Sequence, residues 1–189
     1  MKFLAFTSAI TIASLVGCCS ALIAPQKRAT SKALGEIYAY GTNISGSQVF
    51  VDNGIAYIGD STAMDGAMNV TFVQTGTEIS VHKHYRNGTD AGSDEYLAID
   101  TTAGASNPVL IANSAAVADG YTTEGFNLYG MQITWLTSSR AMQSKFYVVE
   151  TETTDVWELY WNADSATSDK GTDVILKAFG PPDLGTSEP

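Results

Sequence analysis

Residues 142–164 read MQSKFYVVET, then ETTD, then VWELYWNAD. Both arms are crowded with aromatic and β-branched side chains, which suit a pleated, half-buried surface. The middle is short, polar and rich in threonine. Two such arms around a polar break are the signature of a β-hairpin. The second arm holds Trp157 and Trp161, two of the chain's three tryptophans, so the hairpin is expected to anchor the core.

The same grammar repeats along the chain. After a polar lead-in at 29–34, residues 36–40 alternate and read as a strand, followed by a turn at 41–46. Residues 48–51 and 55–58 flank Asp52, Asn53 and Gly54, and Asn-Gly between apolar runs is a strong hairpin signal. Residues 68–74 and 77–85 flank Thr75 and Gly76 as a further hairpin. Strands are expected at 95–100, at 109–111 after Pro108, at 126–129 and 131–136 around Gly130, and at 173–179. Residues 112–118 read as one or two helical turns, and the tail 181–189 as frayed. Short strands with turns every 8–12 or so residues, and no three-turn amphipathic helix between them, predict an all-β fold. An antiparallel β-sandwich or a partly open barrel built from hairpins fits best. The segment around 49–60 also faintly echoes that around 145–164.

The first residues read as an export signal. Lys2 is a minimal basic start, 3–17 is apolar but shorter than the roughly 20 residues a membrane span needs, and small residues lead to a cleavage point after Ala21. Residues 22–28 end in Lys27-Arg28, a dibasic pair of the kind at which proproteins are cut. A single β-domain at 29–180 would follow. In a second reading, Leu15-Val16-Gly17-Cys18 resembles a lipobox and Cys18 carries the lipid. Cleavage after Ala21 removes Cys18 and Cys19, the only cysteines. The exported domain then has no disulfide, no thiolate metal site and no thiol nucleophile, and at its size it can bury enough surface to fold without staples.

The formal charge is −10, from 10 basic and 20 acidic residues. Without Lys2, Lys27 and Arg28 the basic count is 7 and the charge −13. So acidic a surface repels phosphate backbones and argues against nucleic-acid partners.

His82 and His84, the only histidines, lie two apart on one strand and so share a face, opposite Ile79, Val81 and Tyr85. They are a candidate metal pair, with Glu78 or Asp94 as third ligand, or simply two solvated histidines. Ser61 in Gly59-Asp60-Ser61 resembles an esterase motif, but that motif needs a late histidine and none follows His84. Glu150 and Glu158, on facing arms of the 142–164 hairpin, are a candidate carboxylate pair for glycoside hydrolysis. Asp60, Asp65, Asp90, Asp94, Asp164 and Asp169 sit in loops that could hold calcium or be merely solvated. Trp157, Leu159 and Trp161 share a strand face that is either core or a flat sugar-stacking platform. Trp135, alternating with Met131 and Ile133, reads as core. Asn43, Asn69 and Asn87 head glycosylation sequons. No cofactor motif is present.

Residues 36–46, 55–60 and 157–162 together resemble small secreted proteins of filamentous fungi, over roughly 35–179. That resemblance implies export and a fungal source, and no assigned activity or site residue; cell-wall or host glycans are the expected partners. Three functions are compatible with the residues: a non-enzymatic extracellular domain, a carbohydrate-binding module using Trp157 and Trp161, and an acid-residue hydrolase.

Overall fold

The computed structural model describes residues 30–85, 87–92, 95–114, 117–164 and 171–182. The expected leader, the Lys27-Arg28 pair, Asp94, Asp169 and the last seven residues lie outside them. The first half of the chain forms β1 (Ser31–Gly35), β2 (Tyr38–Gly41), β3 (Ile44–Asp52), β4 (Ile55–Gly59), β5 (Met68–Thr75), β6 (Glu78–His84) and β7 (Glu95–Asp100). The second half adds β8 (Ser106–Pro108), β9 (Leu110–Asn113), β10 (Tyr121–Thr122), β11 (Phe126–Tyr129), β12 (Gln132–Leu136), β13 (Met142–Gln143), β14 (Phe146–Glu150), β15 (Val156–Asn162) and β16 (Thr172–Lys177). Helix among the described residues is confined to short 3₁₀ geometry, chiefly at Ser61–Ala63.

The fold is a closed antiparallel barrel of ten strands with extra strands attached. Its circuit runs β3, β5, β6, β7, β9, β4, β15, β14, β16, β2 and back to β3. The all-β antiparallel fold expected from the hairpins is present, as a closed barrel, and closure removes the unpaired edges that an open sheet would expose. The β3–β4 hairpin also pairs within itself and so crosses the circuit. Its turn carries two successive left-handed residues, Asn53 at φ 47° and Gly54 at φ 80°, the geometry that matches strand twist and that Asn-Gly adopts at least cost.

Both long edges of this hairpin change partner along their length. On β3, Ile44 and Ser45, then Ser47 and Gln48, pair with β2, whereas Phe50 and Val51 pair with β5. On β4, Tyr57, Ile58 and Gly59 pair with β15, whereas Ile55 pairs with β9. The two hairpins whose sequences echo each other thus lie side by side.

Alternation sorts the side chains. Val49, Val51, Ala56, Ile58, Leu159 and Trp161 point into the main core. Trp161 is 1% exposed and meets Phe146 and Trp135 edge-on, at centroid distances of 4.9 and 6.1 Å. The opposite face of the β3–β4–β15 region is buried too. Phe50, Ala67 and Val156 form a smaller cluster with Tyr57 and Met64, and Phe50 stacks on Tyr57 at 5.7 Å.

Several sequence expectations need correction. The lead-in contains β1, which pairs with β5. The turn after β2 is only Thr42 and Asn43, because Asn43 takes φ 62° and reverses the chain in two residues. Residues 112–113 continue strand β9, paired through Ala112 to Tyr96 and Asn113 to Glu95, so ladder bonds override helical propensity at the start of that run; residues 115 and 116 lie outside the described residues. Tyr85 falls after the end of β6 and is 54% exposed; it leaves the face it would share with Ile79 and Val81. Met131 is likewise 43% exposed beside Gly130. Trp135 packs on the core while staying half-buried, its Nε1 donating to the Glu124 carbonyl at 3.0 Å.

One buried carboxylate ties the loops of the β7 end together. Asp100 is 5% exposed. Its Oδ1 accepts from Thr102 N at 2.9 Å and its Oδ2 from Asn107 Nδ2 at 2.6 Å. Burial pushes its carboxyl upward, but the bonds from Thr102 and Asn107 outweigh that, and the net shift is below the ordinary 3.8. A folded-state value lowered in this way stabilises fully above the unfolded value and loses its effect as pH falls through the folded one. Asp100→Asn is therefore expected to lower stability by about 1–3 kcal/mol at neutral pH. The gap to the parent chain should narrow as pH drops below about 4, close to the unfolded Asp value. Urea unfolding at a series of pH values measures it, and a gap independent of pH would refute the assignment.

Candidate functional site

A cleft of about 550 Å³ opens where β2 and β5 part company along the edge of β3. Four segments meet there. The first half of β3 contributes Gln48, the end of β4 and the turn after it contribute Gly59, Asp60 and Ser61, and the 142–164 hairpin contributes Asp155 and Trp157. Asn69, from the start of β5, completes the wall.

Local chemistry sets each group. Asp60 caps the 3₁₀ turn, its Oδ1 accepting from Thr62 N and Thr62 Oγ1, both at 2.8 Å. That cap holds Ser61, 8% exposed, so that its Oγ donates to Asn69 Oδ1 at 2.7 Å. Gly59 lies at φ 128°, and a Cβ there would stand 2.2 Å from the Asp155 carbonyl oxygen. This contact lets the hairpin turn, with Asp155 itself left-handed at φ 58°, close down beside β4. Trp157 is half-buried: it packs on the core and also forms part of the cleft wall. Gln48 Nε2 is buried and has no hydrogen-bond partner among the described residues. A buried, unbonded donor costs on the order of 1–3 kcal/mol and calls for an explanation.

The structure separates most of the residues that the sequence suggested together. Trp161 is sealed in the core, so a flat Trp157–Trp161 platform does not exist; alternation put both indoles on the inward face, and only Trp157 lies near enough to the end of the strand to reach the cleft. Glu150 and Glu158 are on opposite faces, because the register pairs Glu150 with Trp157 and Glu158 with Val149. They cannot act on one bond. Glu158 instead neighbours Tyr57 and Tyr160. Burial, then the Glu158 charge, raises both phenols, Tyr160 to about 12, so both stay protonated at neutral pH.

His82 and His84 do share a face, that of β6 which also carries Ser80. His84 Nε2, however, is 2.9 Å from Thr71 Oγ1, and Glu78 sits at the far end of the strand, accepting from Thr123 Oγ1 at 3.3 Å. No group of three potential ligands forms among the described residues. Ser61 donates to an amide and not to an imidazole, which leaves no Ser–His couple. Of the loop aspartates, Asp90 caps its own turn through Gly92 N at 2.8 Å, as Asp60 does. Asn43, Asn69 and Asn87 are all exposed.

Gln48 and Asn69 are cleft residues that residue order hardly marks. Their only sequence signal is a polar side chain within an otherwise strand-like run. No family profile, curated protein or solved structure matches the chain.

Proposed function

We propose that this chain is a non-enzymatic domain exported from the cell, and that the cleft beside Trp157 binds carbohydrate at a wall or host surface. The observation that carries this reading is the composition of the cleft. One indole stands with two carboxamides, three hydroxyls and two aspartates around a space of about 550 Å³, and one carboxamide donor is unpaired. A sugar ring offers what such walls lack: apolar C–H faces for an aromatic, and hydroxyls that both donate and accept. The Gln48 donor would gain an acceptor if the side chain turns into the cleft on binding. Export is supported by the signal-like first residues and by the confinement of both cysteines to that segment.

A glycan array followed by calorimetric titration tests the proposal. A ligand is expected, and Trp157→Ala should weaken it about tenfold or more, the effect of losing roughly 1.4 kcal/mol. Gln48→Ala should weaken it about three- to tenfold, as for one hydrogen bond. A ligand bound equally well by the Trp157→Ala chain, or no ligand at all, would sink the proposal. Quenching by acrylamide adds a check. Trp161 is inaccessible and the half-buried Trp135 does not line the cleft, so the quenching that the sugar suppresses must come from Trp157.

A further inference from the structure

Beyond the cleft, we propose that Asn87 carries an N-linked glycan whose first N-acetylglucosamine seats against Tyr85 and Met68. The proposal uses the export reading and is independent of what the cleft binds.

Three observations lead to it. First, Tyr85 is an apolar ring turned outward, 54% exposed, at the point where β6 ends. It lines a mostly apolar hollow of about 560 Å³ together with Gly66, Ala67, Met68 and Asn87. Second, the turn is held tightly. Tyr85 N donates to the Thr89 carbonyl at 2.9 Å and Gly88 N to the Tyr85 carbonyl at 2.7 Å. Third, the Asn87 side chain is curled so that its Oδ1 accepts from Thr89 N at 2.9 Å. That arrangement engages the carbonyl of the acceptor amide and leaves Nδ2 as the atom to be modified. An open flank at Gly88, where a Cβ would meet nothing within 4 Å, gives room for an attached chain.

The other two sequons lack this combination. Asn69 lines the cleft, where the aromatic ring, Trp157, is half-buried. Asn43 lies in a two-residue hairpin turn, at φ 62°. Only at Asn87 does an acceptor amide stand beside an exposed ring, whose face suits the apolar side of a sugar.

The donor would be a polyprenyl-diphosphate-linked oligosaccharide. Asn87 Nδ2 attacks the anomeric carbon, a C–N bond forms, and the bond from that carbon to the diphosphate oxygen breaks. The diphosphate leaves with the bonding pair and the displaced amide proton passes to a base. Nothing is oxidised or reduced.

The full chain is expressed in a glycosylating host with its own first residues and, in parallel, behind a host leader. If only the second is exported, the export reading fails and the glycan can still be judged. Glycosidase treatment with peptide mapping is expected to find Asn87 converted to aspartate, and Thr89→Ala should abolish the modification. Removing the glycan should lower Tm by about 2–4 °C, the shift of a modest contact in a chain of this size. That drop should vanish in Tyr85→Ala or, if that chain does not fold, in Met68→Ser. An unmodified Asn87 behind the host leader, or an equal drop in parent and variant, would overturn the proposal.

Discussion

Trp161→Ala is expected to cost about 3–5 kcal/mol of stability, near the upper end for a single core truncation. The indole is 1% exposed and touches both Phe146 and Trp135, so its removal leaves a cavity that these neighbours, on two different strands, cannot close together. It lies at the register position where Phe146 pairs across the hairpin and Asn107 pairs on the other edge. The loss is therefore felt by β14, β15 and β8 at once. For a chain of this length the shift in Tm should be about 6–20 °C, taking roughly 2–4 °C for each kcal/mol. Far-UV circular dichroism during urea unfolding is the right probe, because the substitution alters tryptophan fluorescence directly. Trp161→Phe should recover a large part of the loss. A Trp161→Ala chain within about 1 kcal/mol of the parent, small for a core truncation, would mean that the indole is not buried as described.

Gly59→Ala should cost about 2–4 kcal/mol although it adds only one methyl group. Two penalties combine. At φ 128° an L-residue is strained, which costs on the order of 1–3 kcal/mol, and the new Cβ would lie 2.2 Å from the Asp155 carbonyl oxygen. Backbone on that side must move. The movement displaces the hairpin turn and with it Asp155 and Trp157, so the cleft should lose ligand affinity along with stability. Gly88→Ala is the control: its φ of 79° is also left-handed, but no atom lies within 4 Å of the added carbon, so it should cost only the strain. Equal effects of the two substitutions on thermal unfolding would show that the Gly59–Asp155 contact contributes nothing.

The hairpins were legible because a period of two is written directly into residue order. Val49 and Val51, Ala56 and Ile58, and Trp157, Leu159 and Trp161 each announce an inward face. Asn53-Gly54 announces its turn by the backbone it alone adopts cheaply. What failed was register and reach. The hairpin connection takes in Thr151, whose Oγ1 donates to the Val156 carbonyl at 2.8 Å, and pairs Glu150 with Trp157. That single fact puts Glu150 and Glu158 on opposite sides, since a slip of one residue exchanges the two faces of a strand. Tyr85 escaped its apparent face because β6 stops one residue earlier than its alternation does.

Residue order alone determined that this is a β protein of hairpins, with an acidic surface and its cysteines confined to the first twenty residues. Those properties are local or compositional, and no partner segment is needed to specify them. Closure into a ten-strand circuit, and the cleft that brings Gln48, Ser61, Asn69 and Trp157 together, were decided by tertiary structure. They depend on β3 trading β2 for β5 along one edge. Such an exchange is governed by the twist and packing of strands remote in sequence, and no short-range pattern encodes it.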